Sequence, residues 1–267
     1  MGNAVLVHGA WSDGSVWQEV VGHLHQQGHQ ALSVQLPMTS LADDIAWTRR
    51  HIDAMEGPLT LVGHSYGGTV ISGAALDRPQ ADSLVFVAAY VPEEGETVGT
   101  LSDRGAEMPG RAALRFAADG WSHVDPALFG DALAHDLPPR LARSLAAAQK
   151  PTHAACLTAP APRGAWHELP CGYVLSAEDR ILDPRLQRWF AARAGAVVTE
   201  LPSSHLSPLS HPGEVAAAIS ATLERARGVP RTDPRRIRPR SGSRPRATDR
   251  GAGRSVRFPL APRSERS

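Results

Sequence analysis

The chain has 267 residues, 42% of them hydrophobic, enough for one large domain with a sizeable core. Its two cysteines, Cys156 and Cys171, exclude a disulfide framework and a four-thiolate metal site and suit a reducing cytosol; no apolar run approaches the ~18 residues of a membrane span, and no secretory leader pattern precedes the first strand. A net charge of +1 hides a split, because twelve arginines against Asp233, Asp249 and Glu265 give residues 228–267 a charge of +9 and leave −8 on residues 1–227.

The apolar run Ala4-Val5-Leu6-Val7 predicts a buried strand that leads at once into His8-Gly9-Ala10-Trp11. Residues 15–27 place Val16, Trp17, Val20, Val21 and Leu24 at helical spacing and end before Gly28. Ala31 to Val34 reads as a second strand, closed by Pro37. Thr39 or Ser40 then caps a helix to about Met55, with Leu41, Ile45 and Ile52 on one face. Leu59 to Val62 is a third strand, and it meets Gly63-His64-Ser65-Tyr66-Gly67 and a small-residue helical pattern from Thr69 to Leu76. A G-x-S-x-G between strand and helix is the setting in which that motif makes a sharp turn. The turn requires positive φ at Ser65 and holds its hydroxyl at the strand's carboxyl end, beside the positive end of a helix. Leu84 to Val87 is the fourth strand, so the alternation predicts a parallel sheet with crossover helices.

The alternation then stops. From Pro92 to about Trp166 the pattern offers no strand, only Ala/Leu-rich helical pieces at 111–118, 126–135 and 139–149, which predicts a helical cap over the strands' carboxyl ends. Gly172 to Leu175 is a fifth strand, Asp183 caps a helix opened by Pro184, Ala196 to Thr199 is a sixth strand, and a last helix runs from about Pro212 to Arg227. The expected organisation is a core made of residues 1–91 and 167–227, a cap over 92–166, and a disordered Arg/Pro-rich tail over 228–267.

A serine nucleophile needs a base and a buried acid that orients the base, and in this topology they follow later strands in the order Ser, acid, His. The loop after the fifth strand reads Ser176-Ala177-Glu178-Asp179-Arg180, and the loop after the sixth reads Leu201-Pro202-Ser203-Ser204-His205. The expected set is Ser65, His205 and Asp179, with Glu178 the rival acid; His211 reads as a helix lead-in and Asp183 as an N-cap. The backbone N–H groups of Ala10 and Tyr66 are the expected oxyanion donors, with His8 bracing the loop. Trp11 and Trp166 are expected to line the substrate pocket, while Trp17 fits the core stripe of its helix. His23 and His25 point apart on a helix and find no third ligand, so no metal site is expected. No G-x-G-x-x-G follows the first strand, so no dinucleotide cofactor is expected either.

VLVHGAW, LVGHSYGG, the SAEDR loop and SSHLSPLSHP together resemble the α/β-hydrolase superfamily across residues 3–227, and within it bacterial esterases related to plant methylesterases and hydroxynitrile lyases. The resemblance implies an α/β-hydrolase fold: about six mainly parallel strands, helices on both faces and an inserted helical cap. It also implies hydrolysis of a carboxylic ester through an acyl-enzyme, and the Ala-, Leu- and Pro-rich cap predicts a largely apolar pocket that takes a small apolar ester. Typical members carry further strands before the HG motif, which here follows the first strand pattern. The plant lyases carry lysine directly after the catalytic histidine, where this chain has Leu206, and they favour a hydroxyl near the oxyanion loop. A lyase on the same triad and a small-ligand receptor with a vestigial triad are the alternatives. The expected partner is a small-molecule ester in the cytoplasm, with no membrane; the basic tail lacks the aromatic ladder of a nucleic-acid binder, and homo-oligomerisation stays open.

Overall fold

The computed structural model describes residues 2–228. The strands are β1 Asn3–Val7, β2 Gln30–Val34, β3 Leu59–His64, β4 Ala81–Val87, β5 Leu114–Phe116, β6 Trp121–Val124, β7 Thr152–His153, β8 Cys171–Ser176 and β9 Val197–Leu201. The six long ones form a sheet in the order β2-β1-β3-β4-β8-β9, every neighbouring pair parallel. The helices are α1 Gln18–Gln26, α2 Leu41–Asp53, α3 Gly67–Ala74, α4 Val98–Ser102, α5 Phe129–Leu133, α6 Pro139–Ala148, α7 Ala154–Thr158, α8 Pro184–Arg193, α9 Ser207–Ser210 and α10 Pro212–Gly228.

The side-chain period of two divides the sheet's residues between two cores. Val5 and Val7 of β1, Leu59 and Leu61 of β3, and Phe86 of β4 pack with Ile45 and Ile52 of α2, Val70 and Ile71 of α3 and Phe190 of α8. Ala4, Leu6, Val62, Val85 and Val174 point the other way, onto Val20 and Leu24 of α1 and Val215 and Ile219 of α10. Helices therefore cover both faces, which is why these strands read as unbroken apolar runs. The register aligns the strands' carboxyl ends: Val7 pairs with Gly63, His64 with Val87, and Ser176 with Leu201. The loops leaving those ends carry Ala10, Ser65, Asp179 and His205.

Two helix starts follow from capping. Ser40, rather than Thr39, caps α2 by accepting the Asp43 N–H at 3.1 Å, and the Asp183 carboxylate accepts the Arg185 N–H at 2.8 Å at the start of α8. The first helical stretch begins instead as a 3-10 turn, Gly14–Trp17, capped by Asp13, before α1.

The segment between β4 and β8 differs from the all-helical expectation. Residues 111–118 are not a helix: a 3-10 turn, Pro109–Ala113, runs into β5, which forms an antiparallel sheet with β6 and β7. Gly120, at φ +87°, turns β5 back onto β6, and strands of two to four residues are too short to show an alternation. The helix expected over 126–135 is only α5, while α6 fills most of 139–149. The Arg/Pro-rich tail beyond Gly228 lies outside the described residues. Among the described residues no helix is long and apolar enough to cross a membrane.

Candidate active site

The turn from β3 into α3 sets Ser65 at φ +53°, the left-handed region that costs a residue with a Cβ about 1–2 kcal/mol. Three backbone hydrogen bonds hold it there. Its N–H donates to Val87 O at 3.0 Å, and its carbonyl accepts from Gly68 N–H at 3.0 Å and Tyr90 N–H at 3.2 Å. Close approach explains the flanking glycines: a Cβ on Gly63 would sit 2.5 Å from Gly67 O, and one on Gly67 would sit 2.6 Å from Val7 O.

The loop after β1 lies directly against this turn, since a Cβ on Gly9 would meet Ser65 Cβ at 2.8 Å. His8 braces it. Leu36 N–H donates to His8 Nε2 at 3.1 Å, which fixes the tautomer, and His8 Nδ1–H donates to Gly9 O at 2.8 Å. Burial pushes the His8 pKa down to about 4, so the ring is neutral. Trp11, at φ +55°, donates its amide N–H to Thr152 Oγ1 at 2.9 Å and its indole N–H to Ser122 Oγ at 3.0 Å. The amides of Ala10 and Tyr66, by contrast, donate to no acceptor among the described residues. The Tyr66 hydroxyl donates to Asp44 Oδ2 at 2.7 Å, and Asp44 Oδ1 accepts Met38 N–H at 2.8 Å. Burial raises the Asp44 carboxyl above its ordinary pKa and the Tyr66 phenol well above its own.

Asp179 follows β8 and is buried, whereas Glu178 beside it is exposed. Asp179 Oδ1 accepts Ile181 N–H at 2.8 Å and Leu182 N–H at 3.0 Å; Oδ2 accepts Gln187 Nε2–H at 2.8 Å and His205 Nδ1–H at 2.6 Å. With the proton on Nδ1, Nε2 is the basic nitrogen of His205. His64, the residue before Ser65, donates Nε2–H to His205 O at 2.9 Å, and the two rings lie 4.7 Å apart. Burial and the adjacent His205 hold the His64 pKa well below its ordinary value.

His205, His64, Ala10 and Trp11 line one small cavity of about 40 Å³, walled by Val16, Phe129, Leu133, Leu145 and Leu206. Trp166 is not among its lining residues. Its ring packs into the α2/α3 core, stacks on His167 and donates Nε1–H to Pro92 O at 2.9 Å; its place at the end of the inserted segment suggested the pocket, but the indole satisfies its donor inside the core. Trp17 is fully buried, as its stripe predicts.

Sequence reasoning missed Gln187 and His64. Gln187 lies on the buried face of α8, eight positions after its carboxylate partner, and no motif marks it. His64 occupies the variable second place of G-x-S-x-G, where no residue type is demanded.

Residues 4–218 match the alpha/beta hydrolase family. The chain is similar to the carbendazim hydrolyzing esterase of Nocardioides sp., 36% identical over 115 residues; that stretch covers 38% of this chain and 47% of the relative, about half its length. It is also similar to lipase LipV of Mycobacterium tuberculosis, 26% identical over 248 residues, covering 82% of this chain and 92% of the relative. Among solved structures, a pyrethroid hydrolase from Sphingobium faniae superposes with a TM-score of 0.73 at 22% identity, covering 84% of this chain and 97% of the other. Polyneuridine aldehyde esterase superposes with a TM-score of 0.74 at 18% identity, covering 83% and 98%; at such identities the likeness is one of fold. The strand order, the strained serine turn and the matched span of residues 4–218 have one reading: this chain belongs to the alpha/beta hydrolase family.

Proposed function

We propose that the protein hydrolyses a small carboxylic ester through an acyl-enzyme on Ser65. The observation that carries the reading is the 2.6 Å hydrogen bond from His205 Nδ1 to Asp179, made in the loops that follow β8 and β9, at the same carboxyl end of the strands as the strained Ser65 turn. In this scheme His205 Nε2 takes the Ser65 hydroxyl proton as Oγ attacks the ester carbonyl, then delivers it to the departing alcohol. Water repeats the cycle, with the proton passing through the same nitrogen, and releases the acid. Asp179 keeps the imidazole in the required tautomer and stabilises the imidazolium. The Ala10 and Tyr66 amides receive the oxyanion, one such donor contributing roughly 3 kcal/mol.

The apolar walls beside His205, from Val16, Phe129, Leu133, Leu145 and Leu206, support a compact apolar group on the carbonyl. Similar proteins carry esterase names, among them the carbendazim hydrolyzing esterase and polyneuridine aldehyde esterase. Leu206 supports a hydrolase over a hydroxynitrile lyase, because it is an apolar wall where a lyase would need positive charge for departing cyanide. The scheme uses a small-molecule ester, neither cofactor nor metal, and a cytoplasmic setting, which the free buried thiols of Cys156 and Cys171 suit. The core at 1–91 and 167–227 would hold the chemistry and the segment 92–166 would roof it.

A serine-directed phosphonate should label the wild type at Ser65 and leave Ser65→Ala unlabelled, and nitrophenyl acetate or butyrate should be turned over only by the wild type. Turnover of a cyanohydrin with no ester cleaved would replace this reading by the lyase.

A further inference from the structure

Between α5 and α6 two adjacent side chains reach the two loops that carry Asp179 and His205. His135 Nε2–H donates to the carbonyl of Glu178 at 2.9 Å, one residue before Asp179. Asp136 Oδ2 accepts the N–H of Ser204 at 2.9 Å, one residue before His205. The loops are themselves joined by Glu178 N–H donating to Ser203 O at 3.1 Å, so the dipeptide closes a ring of hydrogen bonds through the residues that precede Asp179 and His205. It is rigidly held: Ala134 and Leu137 on either side are buried, Ala134 N–H donates to Gly130 O at 2.9 Å, and Leu137 N–H donates to Ala134 O at 3.1 Å. Burial works against the charged form of Asp136, yet the hydrogen bond from the Ser204 amide and the nearby Ser204 and Ser210 hydroxyls hold its pKa below the ordinary carboxylate value. The acceptor is thus an anion, which makes the bond to the Ser204 amide a charge-assisted one.

The helices on either side of the dipeptide also wall the cavity. Phe129 and Leu133 come from α5 and Leu145 from α6. A group that fills the cavity therefore presses on the same two helices that aim His135 and Asp136.

We infer that His135 and Asp136 are positioning residues, a clamp through which the segment between β4 and β8 sets the contact of Asp179 with His205 and couples it to occupancy of the cavity. The inference rests on the hydrolase reading above. Neither side chain lines the cavity beside His205; both meet loop backbone. Their loss therefore lowers the rate of chemistry rather than substrate binding, because a catalytic group misplaced by an ångström costs about 10²-fold.

The test compares wild type, Asp136→Ala, Asp136→Asn and His135→Ala on nitrophenyl butyrate, with thermal melting and the far-downfield proton resonance of His205 Nδ1–H. Asp136→Ala is expected to lower kcat by roughly 10²-fold with KM within about twofold, and to broaden or lose the resonance. Asp136→Asn keeps an acceptor for the Ser204 amide and should retain most of kcat. His135→Ala should give the Asp136→Ala signature in weaker form, and it carries the test if Asp136→Ala does not fold. Wild-type kcat and an intact resonance in both alanine variants would overturn the clamp. So would an equal loss in Asp136→Asn and Asp136→Ala that follows the melting temperature. Phosphonate labelling of wild-type Ser65 is the control that separates failure of the clamp from failure of the hydrolase reading.

Discussion

Asp179 accepts four hydrogen bonds on two oxygens, and only one of them comes from His205. Replacing it by Asn should put an N–H toward His205 Nδ1 and force the other tautomer, lowering kcat by up to about 10⁴-fold. Glu178→Gln should cost little, since that side chain is exposed and only its backbone meets His135 and Ser203. Gln187→Leu is the finer probe. It removes the donor to Asp179 Oδ2 and leaves the buried Ser176 N–H without its acceptor Oε1, so stability should fall by about 1–3 kcal/mol in chemical denaturation. Activity should fall as well, since the carboxylate loses one of its supports. The contrast between these residues is a contrast in legibility. That Asp179 and His205 meet is legible because each follows a strand at a spacing the chain order demands. Gln187 and His64 are not legible, because their partners are fixed by packing of α8 and of the base loop, which no local pattern encodes.

The turn between β3 and α3 joins two elements by putting one residue in an unfavourable conformation. Ser65→Gly and Ser65→Ala both remove the hydroxyl, but only glycine adopts φ +53° without strain. The glycine variant should therefore be more stable than the alanine variant by about 1 kcal/mol, seen as a higher melting temperature, with both inactive on esters. Equal melting temperatures would mean that the strain is relaxed elsewhere. At this scale elements are legible in the sequence where they are long and buried on both faces, as in β1, β3, β4 and β8, and capped by chemistry, as Ser40 and Asp183 show. Residues 111–118 are not, because Arg115 and Phe116 pair with His123 and Ser122. The pairing partner there decides between helix and strand, and it lies beyond the reach of local periodicity.

Taken whole, the molecule buries His8 and His64 where its elements converge, and their protonation contributes to its response to acid. His8 ties the end of β1 to the loop after β2 through Leu36, whose carbonyl also accepts from Lys150 Nζ. The next turn of that loop is pinned by Met38 O accepting from His153 N–H at 3.0 Å. His64 ties the serine turn to the base loop. Burial keeps both rings neutral in the folded protein, His8 down to about 4 and His64 well below its ordinary value. Once unfolded, both would take a proton near their ordinary pKa of about 6.5. The unfolded chain thus binds more protons below about pH 6.5, so the stability these sites confer is complete above that pH and is lost as the pH falls, through about 4 for His8. For His8 alone the shift from 6.5 to about 4 corresponds to about 3 kcal/mol. Asp44 runs the other way, since its raised carboxyl takes up a proton more readily when folded, and it offsets part of the loss. Urea unfolding between about pH 7 and pH 4 should therefore show falling stability in the wild type and a shallower dependence in His8→Asn. The slope, rather than the level, is the readout, because the variant also loses hydrogen bonds that do not titrate. Parallel pH dependences in the two proteins would mean that the acid sensitivity arises outside this junction.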